Sequence, residues 1–419
     1  MCEHSNYKLS QLGIAAILYK VLDKPMPSPM DRNQFSHWLT GFIDGEGNFQ
    51  AFMDNGRLRL IFRIRLHIDD IAVLHTIREF LGVGSVTSNN DTCLYMISDR
   101  TSLSSVLIPL LNEYNLYTTK WLDYLTFRTL LEFLCNSHTA LLSQADKEWI
   151  VPLISNMNSG RESYDYSLIP TLVVNPYWLL GFIEAEGTFG IRNSVPYFQV
   201  AQHIKSTIVL DSITSYLKSL PQLFTFTLNS PQVAVGKVVN RKTDVAVLSI
   251  NNIDALYDYF MFFLLDMPFQ TRKGIDFYYW CIVLHMHKFG HYYLAQGKAL
   301  VVAIANFINK GRYSNNPNRV DAPSLSLIQE VLGLTLPVKL TPQMSHLHLA
   351  QAFSRLVTTR TVFIYDNGVL LNEVPYSSYG DALESIGQPR TSSAIKRNID
   401  TGKLFHKRYE FCSTIKSPF

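Results

Sequence analysis

Hydrophobic and polar residues alternate most regularly between Arg57 and Ile68. Leu58, Leu60, Phe62, Ile64 and Leu66 take the even positions, and Arg57, Arg59, Arg63, Arg65 and His67 take odd ones. A period of two puts the hydrophobes on one face of a strand and the cations on the other. Asp54-Asn55-Gly56, a hairpin-turn sequence, joins this strand to an extended run over residues 48–53. The pattern next predicts a helix over 70–81, a second hairpin from 83–88 and 92–97, a helix over 102–111 and a long helix over about 119–135.

The chain repeats itself. WLTGFIDGEGNF, Trp38 to Phe49, returns 140 residues later as WLLGFIEAEGTF, Trp178 to Phe189, with eight of twelve positions identical. A period of this length marks two copies of one supersecondary unit. Each copy reads as a helix that stops at Gly47 or Gly187 and leads into a strand. Strands over 187–192 and 197–205 follow the second copy, then a helix over 207–217, extended runs at 223–228 and 245–250, and a helix over 253–265. Gln199, His203 and Lys205 share one strand face. The insertion 229–244 reads as a long hairpin loop carrying Lys237, Arg241 and Lys242. Further on, YNLYTTKWLDYLTF aligns with MPFQTRKGIDFYYW, so that Thr119 meets Arg272, Lys120 meets Lys273 and Asp123 meets Asp276.

Two features of the repeated helix carry chemistry. Gly41 and Gly45, like Gly181 and Ala185, sit four apart on one face, so two such helices can approach almost backbone to backbone. Asp44 and Glu46, and Glu184 and Glu186, crowd the helix C-termini, where the dipole disfavours carboxylates. If the small-residue faces pack, Glu46 and Glu186 meet, and their like charges need a divalent metal, a proton or a basic partner. Oxygen ligands with retained water suit Mg2+.

The two stretches resemble the signature motif of the LAGLIDADG homing endonucleases, in the single-chain form with two motifs. The resemblance implies an α+β fold of two pseudo-symmetric αββαββα repeats, which form a saddle of antiparallel sheets with the motif helices at their interface. It places Glu46 and Glu186, with the preceding Gly45 and Ala185, in a site for Mg2+ (or Mn2+), and Lys120 and Lys273 near the scissile phosphate. The arginine face of 57–68 then suits a ribbon laid in the major groove of double-stranded DNA. The less basic Gln199, His203 and Lys205 face suits a different half-site. The implied activity is metal-dependent double-strand cutting of a long DNA site, the chemistry of intron mobility. The alternative is a maturase that binds group I intron RNA.

Composition adds limits. At 47% hydrophobic and 17% charged the 419 residues are globular, and a net charge of +3 requires any nucleic-acid surface to be locally concentrated. Five scattered cysteines without a CxxC pair disfavour a disulfide framework or zinc site. His285/His287 and His346/His348 read as packing or surface residues. Residues 257–269 are too short and too acidic to span a bilayer, so a soluble protein with no membrane partner is expected; separately, a monomer is expected. Residues 1–30 match no import signal, which fits synthesis inside a mitochondrion or chloroplast.

The expected organisation is an N-terminal extension (1–30), repeat 1 (31–150), a linker (151–175), repeat 2 (176–310), a linker with a helical segment (311–360) and a C-terminal α/β module (361–419). That module resembles the small DNA-binding repeats attached to homing nucleases, with Arg390, Lys396 and Arg397 as candidate contacts. A domain packed on the core without a nucleic-acid role is the other reading.

Overall fold

The computed structural model describes residues 13–137, 141–220, 235–240, 243–341, 344–357 and 361–416. The chain divides into two units, Met1–Thr335 and Leu336–Phe419.

The larger unit is assembled on the two motif helices, Arg32–Glu46 and Pro176–Glu186. Each start is specified locally. Asp31 and Gln34 form a capping box at the first helix, and the Asn175 side chain accepts the Tyr177 N–H at the second, whose first residue is proline. The helices meet along the small-residue faces. A Cβ at Gly41 would lie 2.0 Å from the Trp178 carbonyl oxygen, and one at Gly181 would lie 2.0 Å from the Trp38 carbonyl oxygen. One turn on, a Cβ at Gly45 would lie 2.2 Å from that of Ala185. No larger residue fits either glycine. Both helices end as expected, but Gly47 has φ −68° and ψ 149°, an extended conformation rather than a left-handed cap. Glycine is required there because a Cβ would lie 2.6 Å from the Ile43 side chain.

Each helix feeds a four-stranded antiparallel sheet. In repeat 1, β1 (Gly47–Asp54), β2 (Arg57–His67), β3 (Ser85–Ser88) and β4 (Thr92–Ile97) take the order β1-β2-β4-β3. In repeat 2, β5 (Gly187–Arg192), β6 (Val195–His203), β7 (Val235–Asn240) and β8 (Val245–Ile250) take the order β5-β6-β8-β7. The first hairpin turns at Asn55 and Gly56, both at positive φ. Along β2 the even residues Leu58, Leu60, Phe62 and Ile64 are buried and the odd ones outward, as the alternation requires. Helices cover the buried faces: Ile71–Leu81 and Lys120–Asn136 in repeat 1, Thr207–Lys218 and Lys273–Phe289 in repeat 2.

Several expectations need correction. The insertion read as a long loop contains β7, which pairs along its whole length with β8, so the connection there is short. The run at 223–228 and the residues Arg241 and Lys242 lie outside the described residues. The boundary expected between repeat 1 (31–150) and the linker (151–175) falls inside a capped helix, Gln144–Ser155, and repeat 2 has its equivalent in Ala295–Phe307. Each of these helices leads to an asparagine at positive φ, Asn158 and Asn309. Their backbone N–H groups donate to Asp123 and Asp276, and their side chains donate to the Phe49 and Phe189 carbonyls. This is what the aligned aspartates do. The N-terminal segment is also part of the core: Ile14, Leu18 and Tyr19 are buried, and the Tyr19 hydroxyl donates to the Leu265 carbonyl.

The smaller unit has its own core of Val362, Ile364, Ala382, Leu383, Ile395 and Phe411. It contains a sheet of β9 (Phe363–Asp366), β10 (Val369–Leu370) and β11 (Tyr409–Cys412) in the order β10-β9-β11, with short helices at Tyr379–Ser385 and Ala394–Asn398. Among the described residues no helix is long and apolar enough to cross a membrane.

The seam makes a direct prediction. Gly41→Ala drives a methyl group into a backbone carbonyl that cannot rotate away, and should cost on the order of 2–3 kcal/mol or more in urea unfolding. A cost below about 0.5 kcal/mol, the scale of an ordinary surface change, contradicts this packing.

Candidate active site

The helix pairing sorts the four motif carboxylates into two kinds. Asp44 and Glu184 are buried and fully engaged. Asp44 accepts the N–H groups of Tyr117 and Thr118, the Thr118 hydroxyl, and the indole N–H of Trp178 from the opposite motif at 3.1 Å. Glu184 accepts the N–H groups of Gln270 and Thr271, the Thr271 hydroxyl, and the Trp38 indole at 2.8 Å. Each motif tryptophan thus crosses the seam to the other motif's acid. Backbone N–H groups, a threonine hydroxyl and an indole satisfy each of these two carboxylates. The loops they hold are the ones that present the aligned lysines.

Lys120 and Lys273 begin their helices and reach back to the seam. The Lys120 ammonium donates to the carbonyls of Ile43 (3.0 Å) and Gly45 (2.7 Å), and that of Lys273 to Ile183, Ala185 and Gly187, the last at 2.7 Å. Neither motif helix has a basic residue in its last turn. The lysines supply from outside the positive charge that each helix end lacks. Burial pushes both ammonium groups below the ordinary lysine range; Asp44, Glu186 and Glu46 oppose this at Lys120, and Asp276, Glu184, Glu46 and Glu186 at Lys273.

Glu46 and Glu186 remain. Glu186 packs against Gly45, where its Oε1 would lie 3.4 Å from an added Cβ. Burial, then the neighbouring Glu186 charge, raises the Glu46 carboxyl, while Lys120 and Lys273 pull it down. Glu46 lines a cleft of about 340 Å³ together with Arg65, His67, Asp70, Ala185, Lys273 and Tyr313. Neither carboxylate accepts a hydrogen bond from the described residues. Two partnerless like charges beside an open cleft form a donor set that fits a hard divalent cation. Among the described residues no group of three or more His, Cys, Asp or Glu could hold a metal ion unaided. An ion at Glu46 and Glu186 would therefore complete its shell with water and substrate oxygens, as Mg2+ commonly does.

The other candidate residues separate by geometry. Arg57, Arg59 and Arg65 are exposed on β2, with Arg59 beside Asp54 across the hairpin, while Arg63 is half-buried and donates to Asn48. Gln199 is half-buried on β6 and His203 is exposed. His67 and His203 end their strands rather than continue an open face. Their Nδ1 atoms accept the N–H groups of Asp69 and Lys205 at 3.2 Å, which turns the chain out of the sheet. Lys205 consequently leaves the strand face, and its ammonium lies 4.3 Å from the Tyr164 ring centre. Lys237 belongs to β7, but its side chain is outside the described residues. In the smaller unit Arg390 pairs with Asp381 and Glu384. That leaves Lys396 and Arg397 exposed and without an ion pair among the described residues. His285 and His287 are packing residues: His285 meets the Tyr257 hydroxyl at 2.9 Å and His287 the Ser194 carbonyl at 2.8 Å.

Sequence reasoning gave Asp44 and Glu184 no separate role and did not single out Asp69 or Asp70. The signal for the first pair was present, since an acid recurs two residues before Glu46 and Glu186 in both copies. For Asp69 and Asp70 the duplication gives no signal, because Lys205 and Ser206 stand opposite.

The chain is similar to known proteins. Residues 39–131 and 179–284 match the sequence model of the LAGLIDADG endonuclease family, one stretch in each repeat. The chain is a two-motif member of that family. It is 27% identical over 402 residues to an uncharacterized mitochondrial protein, RF1, of Saccharomyces cerevisiae, covering 91% of this chain and 82% of that one. It is 31% identical over 179 residues to a probable intron-encoded endonuclease of Neurospora crassa, covering 37% of this chain and 33% of the relative. Among solved structures, the homing endonuclease I-GzeII in complex with its DNA target superposes with a TM-score of 0.57 at 21% identity, covering 66% of this chain and 98% of that one. I-SmaMI, bound to uncleaved DNA in the presence of calcium ions, gives 0.55 at 22% identity, with 66% and 99% covered.

The buried acids predict a pH dependence. Burial raises the Glu184 carboxyl from 4.5 to about 7 despite its four donors. The folded chain thus holds this proton more tightly than the unfolded chain does. The resulting stability is complete below about pH 4.5 and is lost as pH rises through 7. Glu184→Gln, which cannot titrate, should lose less stability between pH 5 and pH 8 in urea unfolding than the wild type. Equal losses contradict the assignment.

Proposed function

We propose that this protein is a site-specific homing endonuclease that cuts both strands of a long DNA site with divalent cations held at Glu46 and Glu186. The observation that carries this reading is the pair of carboxylates left without partners at the foot of the seam, each repeat having added a buried lysine beside them. Glu46 and Glu186 would hold Mg2+ or Mn2+, with Gly45 and Ala185 beside them. When bound, such an ion polarises a phosphoryl oxygen and offsets charge on the leaving oxygen.

The chain's own groups do the rest. Lys120 and Lys273 keep positive charge within the seam, where a scissile phosphate gains negative charge during displacement. The sheets position the duplex: Arg57, Arg59, Arg63 and Arg65 on β2 contact phosphates and guanine edges, and Gln199 and His203 on β6 read the less basic half. One chain carries both halves of the site, so it acts as a monomer. The names of the relatives support the endonuclease reading over a group I maturase, and they favour a mitochondrial setting over a chloroplast one.

Incubating the protein with a plasmid library that contains the intron-free host-gene sequence tests this. Mg2+-dependent cutting at one site is expected, abolished in Glu46→Gln and in Glu186→Gln with DNA binding retained. Undiminished cutting in either variant removes the assigned centre, and no cutting with saturable binding of the intron transcript moves the function to the maturase. Replacing Arg63 and Arg65 together with alanine should weaken DNA binding and reduce its salt slope by about 2, given roughly 0.9 per phosphate contact. An unchanged slope means that β2 does not face DNA.

A further inference from the structure

The pseudo-twofold relation that exchanges the motif helices also exchanges two corners, where a turn from one repeat meets the lysine loop of the other. At the first corner the turn Ile68–Asp70, which follows β2, meets Arg272. The Arg272 backbone N–H donates to Asp70 Oδ1 at 2.9 Å, and its guanidinium pairs with Asp69. At the second corner the turn Ile204–Ser206, which follows β6, meets Thr119, whose hydroxyl lies 3.4 Å from that of Ser206. Position for position, Asp69 stands opposite Lys205, Asp70 opposite Ser206 and Arg272 opposite Thr119. The backbone geometry is conserved between the corners while the charge is reversed. Two carboxylates and one guanidinium give the first corner a net negative charge, and a single ammonium gives the second a net positive one.

Within the first corner the two aspartates differ. Asp69 is consumed by structure: it accepts the Ser314 N–H at 3.0 Å, pairs with Arg272, and lies 3.3 Å from the His67 ring nitrogen. Asp70 uses one oxygen for the Arg272 N–H, and among the described residues its other oxygen has no partner. Asp70 lines the same cleft as Glu46 and Lys273. Asp70 is also the N-cap residue of the helix Ile71–Leu81 but makes no side-chain capping hydrogen bond there, and holding the Arg272 N–H needs an acceptor oxygen but no charge, so an asparagine can serve both structural positions.

We propose that Asp70 is a positioning carboxylate of the first cutting centre, acting on the waters of the cation held at Glu46, and that the two DNA strands are consequently cut with different metal requirements. This rests on the endonuclease reading. Glu46, Glu186 and Asp70 do not form a closed three-carboxylate ligand set, so Asp70 acts through water and through its field. The corner with Asp70 concentrates the cation. The corner with Lys205, Ser206 and Thr119 has no such carboxylate and fills only at higher metal concentration.

The test uses the full chain and two readouts. First, Mn2+ is titrated into the free protein and followed by loss of the free-ion paramagnetic resonance signal. Asp70→Asn, which keeps an acceptor for the Arg272 N–H, should weaken the tighter binding phase several-fold with an unchanged thermal melt. Second, a target duplex labelled differently on each strand is cut over a Mg2+ series. One strand should reach half-maximal rate at several-fold lower Mg2+ than the other. Asp70→Asn should erase that difference, and Ser206→Asp should lower the requirement of the slower strand. Superimposable Mn2+ curves for wild type and Asp70→Asn, or a strand difference that survives Asp70→Asn, overturn the proposal. If the wild type cuts no duplex the endonuclease reading fails, and the Mn2+ titration still decides the role of Asp70.

Discussion

The rest of the larger unit depends on the approach of two helix backbones at Gly41 and Gly181. Each glycine faces the carbonyl of the opposite helix's tryptophan at a distance that excludes even a methyl group. That contact fixes the axial register of the helices, and the register fixes everything at their C-terminal ends. The Trp38 indole can reach Glu184, and the Trp178 indole Asp44, only while the helices stay in step. Each of these hydrogen bonds to a buried carboxylate contributes roughly 1.5–3 kcal/mol, and misregister would leave both partners unpaired in the core.

The same register concentrates charge in a small volume. Four carboxylates and two ammonium groups gather where two helix dipoles end, an arrangement costly to desolvate unless each group is answered. Asp44 and Glu184 are answered by backbone donors, and through them they hold the loops that deliver Lys120 and Lys273. The lysines are answered by the last carbonyls of the motif helices. Glu46 and Glu186 are left over, Glu46 lining the cleft and Glu186 packed against Gly45, with no hydrogen bond from the described residues. Among the described residues, the other charged groups at the seam are tied into the fold by hydrogen bonds, and these two are not.

Much of this was legible in the sequence because duplication writes the same constraint twice. The glycine spacing, the β2 alternation and the lysine-loop alignment each follow from local periodicity or from comparing the copies. The exchanged tryptophan–carboxylate bonds were not legible, since they join residues more than a hundred positions apart and depend on helix register. The strand β7, Val-Gly-Lys-Val-Val-Asn, was read as loop because Gly236 and the adjacent Val238 and Val239 break a strict alternation, although its valines favour a strand. The helix Gln144–Ser155 was hidden by Pro152 inside it. Lys205 was placed on the β6 face by counting in twos past His203, where the histidine ring ends the strand.

The central claim is that the helix seam exists to bring Glu46 and Glu186 together where divalent cations bind. The most direct measurement is anomalous diffraction from crystals of the protein bound to its target duplex and soaked in Mn2+. Peaks about 2.0–2.3 Å from the carboxylate oxygens of Glu46 and Glu186, between the motif helices and the scissile phosphates, are the predicted result. Well-ordered carboxylates at the seam with no metal density beside them, or metal bound elsewhere on the chain, would contradict it.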